Sequence, residues 1–148
     1  MSYFVRYFAT GQVPTLLELV SAAQADSPQL GMTDLISGPN AHADLNWAGE
    51  VFAEIEINAR GTEIFEAEIL EQLDLIRSGR GKKTPIVNLL KEASCIIAVR
   101  ILTSSGEFRD LLDRVDPIWE WLDENRRGVT AFDSHGFYLD SRHLVKTS

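Results

Sequence analysis

The sequence predicts an α+β fold, a sheet covered by helices, and three observations carry that expectation. Alternation of period two marks strands at residues 3–9 and 50–59. The apolar run from Cys95 to Leu102 has the character of a buried central strand. Amphipathic stretches of helical period lie between and after these segments, and a hairpin signal near the C-terminus marks α+β over strictly alternating α/β.

Taken in order, Tyr3, Val5, Tyr7 and Ala9 share one strand face and Phe4, Arg6 and Phe8 the other, so this strand is expected to be covered on both sides. Thr15-Leu16-Leu17-Glu18 has capping-box spacing, and Leu16, Leu19, Val20 and Ala23 form the stripe of a helix that stops near Asp26, before Ser27-Pro28. A short strand is expected over residues 30–36, then a turn at Ser37-Gly38-Pro39-Asn40 and a surface loop over residues 41–46. In the strand at 50–59, Val51, Ala53, Ile55 and Ile57 are expected on one face and Phe52, Glu54, Glu56 and Asn58 on the other.

Residues 62–78 read as a helix with Phe65, Ile69, Leu73 and Ile76 inward and Gly79 as its stop. A basic loop, residues 77–83, separates it from a helix opened by Thr84-Pro85. Phe108, Leu111, Leu112, Val115, Ile118, Trp119 and Leu122 keep helical spacing, and Pro117 either kinks this helix or begins a second one capped by Asp116. A hairpin around Ser134-His135-Gly136 and a short tail strand at Leu144-Val145 complete the chain. Val5-Arg6 precedes Leu16–Val20 much as Val99-Arg100 precedes Leu111–Val115. If that echo is a duplication, the fold is ferredoxin-like, two β-α-β-β units sharing one sheet with helices packed on it.

With 148 residues, 45% hydrophobic and 24% charged, the chain suits a single globular domain over 1–148. The single cysteine, Cys95, lies in an apolar run and reads as a buried thiol of a reducing compartment. The N-terminus shows no signal-peptide pattern and no apolar run reaches bilayer length, so a cytoplasmic location with no membrane partner is expected. A net charge of −8, from 22 acidic against 14 basic side chains, argues against nucleic acid.

Four groups could carry function. Asp133, His135, Asp140 and His143 have metal-type chemistry, yet their spacing is not that of a zinc site and turn chemistry accounts for them. No metal or other cofactor is therefore expected. Glu54 and Glu56 share one strand face and could split into acid and base, or form a solvated face. Lys82 and Lys83 precede a helix without P-loop spacing and read as a basic surface loop. Trp121 lies off the apolar stripe beside Glu120 and Glu124, which points either to an interface or to packing at the core margin.

The stretch Leu112-Asp113-Arg114-Val115-Asp116-Pro117-Ile118-Trp119, with Gly128-Val129 and Asp133-Ser134-His135-Gly136-Phe137-Tyr138, is similar to the C-terminal part of small bacterial α+β proteins without an assigned function. His135 departs from the small or acidic residue expected there. The resemblance covers less than a quarter of the chain, implies a bacterial cytoplasmic origin and carries over no catalytic residue.

The sequence thus points first to a non-catalytic protein-interaction module, homodimeric or of the immunity type that faces a basic toxin, with Trp121, Glu120 and Glu124 at its interface. The alternative is a small enzyme or ligand-binding protein with a site near Glu54, Glu56 and the hairpin over residues 133–143.

Overall fold

A computed structural model describes residues 2–147, and these form four helices, a 3-10 turn and a nine-stranded sheet. In chain order they are β1 (Ser2–Ala9), α1 (Leu16–Asp26), β2 (Leu30–Ile36), β3 (Asn40–Trp47), β4 (Glu50–Ala59), α2 (Glu63–Ser78), β5 (Arg80–Gly81), α3 (Thr84–Glu92), β6 (Cys95–Leu102), α4 (Phe108–Asn125), β7 (Gly128–Phe132), β8 (Gly136–Leu139) and β9 (Arg142–Lys146). The strand order is β2-β3-β4-β6-β1-β7-β8-β9-β5, and every neighbouring pair is antiparallel.

The expected echo is present in element order but not in space. Both halves run strand, helix, three-strand meander. The first meander starts at the outer edge with β2 and returns inward, so that β4 pairs with β6. The second starts inside, with β7 against β1, and runs outward. This is not the arrangement of two ferredoxin-like units side by side. The physical difference is the span of the crossover: α1 carries the chain past three strands and α4 past one.

Several local expectations change in three dimensions. Residues 41–46 are the middle of β3, not a surface loop. Ala43 and Leu45 point into the core while His42, Asp44 and Asn46 point away, so the strand looks polar because half of it faces no helix. Ala48 and Gly49, at φ 51° and 89°, make the tight turn into β4, where two positive φ values match the twist of the flanking strands. A register shift between Leu45 and Asn46 reverses the expected parity at the start of β4. Phe52 enters the core and Val51 is left exposed.

Gly79 does end α2, but at φ −80°, and its need for glycine is one of space. A Cβ there would lie 2.7 Å from the Lys146 carbonyl oxygen. Pro117 neither breaks α4 nor starts a second helix. The helix runs unbroken for 18 residues, with Val115, Ile118, Trp119 and Leu122 buried on either side of the proline. The cap is Glu107, whose carboxylate accepts from the Arg109 and Asp110 amides. Part of the basic loop becomes β5, an edge strand on β9.

Two apolar layers sandwich the sheet. On one side α1 and α4 set Leu16, Leu19, Leu111, Val115, Ile118 and Trp119 against Val5, Tyr7, Leu45, Ile55, Ile97 and Val99. On the other α2 and α3 set Phe65, Ile76, Ile86 and Leu90 against Phe8, Ile96, Val129 and Phe137. Cys95 lies in the first layer, and burial pushes its thiol up to about 11, as befits an unreactive cysteine. Among the described residues no helix is long and apolar enough to cross a membrane.

Candidate functional site

Helices α2 and α3 cover only part of their side of the sheet. Beyond them β3, β4, β6 and β1 expose a shallow trough of about 290 Å³, lined by Phe4, His42, Glu54, Glu56, Ala98 and Arg100. Strand pairing builds it in two rows. One row runs Asp44, Glu54, Arg100, Phe4 across β3, β4, β6 and β1. The next runs His42, Glu56, Ala98, Arg6 across the same strands. Ala98 is the floor: its small side chain leaves the space that larger neighbours surround.

The charges of the trough are arranged unequally. Arg100 pairs with Glu54, and both side chains are more than two-fifths exposed. Arg6 is held more tightly. Its guanidinium lies 2.6 Å from Glu68 of α2 and 3.1 Å from Asp133, and it stacks over the Phe4 ring at 4.5 Å. Burial pushes the Glu68 carboxyl up from its ordinary value, and Arg6 opposes that shift. Asp44 and Glu56 are half-buried, and among the described residues neither has a basic side chain within ion-pair distance.

Glu54 and Glu56 thus lie together in the trough, as their spacing predicts. The hairpin residues do not join them as one site. Asp133 ties β1 to the hairpin, accepting from the Phe4 amide at 2.9 Å and from Arg6, on the α2 side of the sheet. His135 lies towards α4, with Nδ1 3.2 Å from the Tyr3 hydroxyl. His143 stacks on Tyr138 at 4.3 Å, and its Nε2 is 2.9 Å from the His135 carbonyl oxygen. Asp140 and Ser141, at φ 51° and 64°, form the turn between β8 and β9. Among the described residues no three His, Cys, Asp or Glu side chains gather as a metal ion would require.

Trp121 lies at the margin of the α1/α4 core, half-buried, with the Arg126 guanidinium 5.4 Å from its ring centre. Arg126 in turn donates to the Gln12 carbonyl oxygen at 2.7 Å. Glu120 and Glu124 are exposed beside it. Lys83 turns back to donate to the Arg77 carbonyl oxygen, and the Lys82 amide donates to Leu144, so the basic loop is pinned along β9.

Sequence reasoning missed His42, Phe4 and Arg100 as trough residues and Asp44 as their neighbour at the rim. Arg100 left a signal: it is the sole charge in β6 and shares parity with Ile96 and Ala98. His42 and Asp44 were hidden by the loop reading of β3. Compared with protein-family profiles, curated proteins and solved structures, the chain shows no significant match to any of them.

Proposed function

We propose that this protein is a non-catalytic protein-interaction module and that the trough is the face it turns to a basic partner. The observation that carries this reading is two carboxylates without an ion-pair partner, Glu56 in the trough and Asp44 at its rim across from Glu54, on the part of the sheet that α2 and α3 leave uncovered. Carboxylates that have no cation of their own remain free to pair with a guanidinium or ammonium from a partner. The net charge of −8 adds attraction at long range. The trough lining holds no Ser, Thr, Cys or Lys, so no hydroxyl, thiol or amine nucleophile stands beside its carboxylates. An immunity-type protein that blocks a basic toxin is the concrete form this reading takes.

Fluorescence anisotropy with a labelled oligoarginine peptide tests it. The triple variant D44N/E54Q/E56Q should bind at least about tenfold more weakly than the unmodified protein. A control that removes the same charge elsewhere, E63Q/E71Q/E92Q, should lose much less. Equal losses in the two variants would reduce the effect to net charge and overturn the reading.

A further inference from the structure

A wide cleft lies on the opposite side of the sheet, between the start of α4 and strands β1, β7 and β8. It is open to solvent and has a volume of about 560 Å³, within the range that holds small ligands. Four aromatic side chains wall it. Tyr3 meets Phe108 edge to face at 4.9 Å, and Phe132 meets Tyr138 in the same way at 5.3 Å. Register explains why three of them converge. Phe132 pairs with Val5 and Tyr138 pairs with Thr130, which places them with Tyr3 on the α4 side of β1, β7 and β8. Phe108 comes down from the first turn of α4, about 37% exposed.

The charged and imidazole side chains of the lining are Asp113, Asp116, Arg109 and His135, so its carboxylates outnumber its guanidinium by two to one. Asp113 and Asp116 stand three apart on α4 and face the cleft together. Among the described residues neither is in an ion pair, and Arg109 is the sole Lys or Arg of the lining. Partial desolvation of this otherwise exposed side chain pushes the Asp116 carboxyl up to about 6, with Asp113 and Glu120 adding repulsion. The Tyr3 phenol is pushed up to about 12, mainly by burial, so it stays neutral and keeps its proton as a donor. Aromatic faces carry partial negative charge, and rings beside unpaired carboxylates make the surroundings in which an organic cation outcompetes a neutral molecule of the same shape.

We propose that this cleft binds an organic cation, an alkylammonium or guanidinium group, with its apolar part against Tyr3, Phe108, Phe132 and Tyr138 and its charge beside Asp113 and Asp116. The site is separate from the trough and does not depend on the reading given to it. Such a group could arrive as a free amine or as a side chain of a peptide, and the two sources are told apart by the probes.

Calorimetric titration with choline, agmatine and the neutral choline isostere 3,3-dimethylbutan-1-ol tests the chemistry. Capped peptides with a central arginine or trimethyllysine test the source. At least one cation should bind at or below about 1 mM, and the neutral isostere should bind about tenfold more weakly than choline. Tighter binding of a peptide than of the free cations identifies a side chain as the source, and the reverse identifies a free amine. D113N/D116N and F108A, each checked by circular dichroism for native fold, should each lower affinity about tenfold, while D44N/E54Q/E56Q should leave it unchanged. Isostere binding as tight as choline, no cation binding below about 10 mM, or unchanged affinity in folded D113N/D116N would each overturn the proposal.

Discussion

The strands β1, β3, β4 and β6 present Val5, Tyr7, Leu45, Ile55, Ile97 and Val99 to α1 and α4, and all of these are buried. On their other side the same strands present Arg6, His42, Asp44, Glu54, Glu56 and Arg100, of which α2 reaches Arg6 alone, through Glu68. Identical backbones therefore support a closed face and a half-open one. The difference teaches that strand period assigns a side chain to a face, while helix placement decides whether that face is core or surface. Arg6 and Arg100 make the contrast concrete. They lie on adjacent strands of one face, yet the Arg6 side chain is 16% exposed and the Arg100 side chain 41%.

The comparison breaks first if the closed face proves dispensable. Trp119→Ala should leave a cavity beneath α4 and cost about 3–5 kcal/mol in denaturant melts. Trp121→Ala, at the margin, should cost about 1 kcal/mol. Sedimentation at several concentrations tells whether Trp121 also holds copies of the chain together. A loss for Trp121→Ala equal to that for Trp119→Ala in a monomer would place Trp121 in the core and remove it from any interface.

The next effect separates the two arginines. Arg6→Met leaves Glu68 and Asp133 shielded without their cation and should cost about 2 kcal/mol at neutral pH. Because the folded protein holds the Glu68 carboxyl above its unfolded value, a proton on Glu68 favours folding. The penalty of charged Glu68 therefore grows as pH rises through that window, and removing Arg6 enlarges it. The Arg6→Met deficit should accordingly shrink as pH falls from 7 towards about 4.5, in melts compared at pH 4.5 and 7. Arg100→Leu, in the open trough, should cost less than about 1 kcal/mol. Equal costs for the two arginines would mean that α2 does not shelter Arg6.

The smallest effect has the opposite sign. Asp116 is raised to about 6, above its ordinary 3.8, so its ionised form opposes folding at neutral pH and its protonated form does not. Asp116→Asn should stabilise the protein at pH 7 by well under about 1 kcal/mol, because the residue is exposed. The gain should fade as pH falls from about 6 towards 4. If the same substitution weakens cation binding, stability and function are separated at one carboxylate.

Much of the fold was legible because periodicity and capping are local. Thr15 caps α1 as its spacing indicates, its side chain accepting from the Glu18 amide, and Thr62, where the second helix was expected to begin, caps α2 by accepting from the Phe65 amide. The strands at Glu50–Ala59 and Cys95–Leu102 lie at their expected places. β3 was misread because its outward residues meet solvent in a half-open trough, so its composition resembled a loop. Pro117 was ambiguous because the loss of one helical hydrogen bond is local, whereas the burial of Val115, Ile118 and Trp119 that offsets it comes from the sheet.

The site shows the same division. The sequence by itself determined that Glu54 and Glu56 share a face and that Trp119 lies inside with Trp121 at its edge, since these follow from the repeat of a strand or a helix. Only the tertiary structure decided that β4 lies beside β3 and β6, bringing Asp44, His42 and Arg100 to Glu54 and Glu56. It alone parted Asp133 from His135 onto opposite sides of the sheet, and it alone gathered Tyr3, Phe108, Phe132 and Tyr138 into one cleft. These neighbours are up to about a hundred residues or more apart in the chain, and which strands pair across such loops depends on burial summed over the whole sheet, a quantity no local pattern carries.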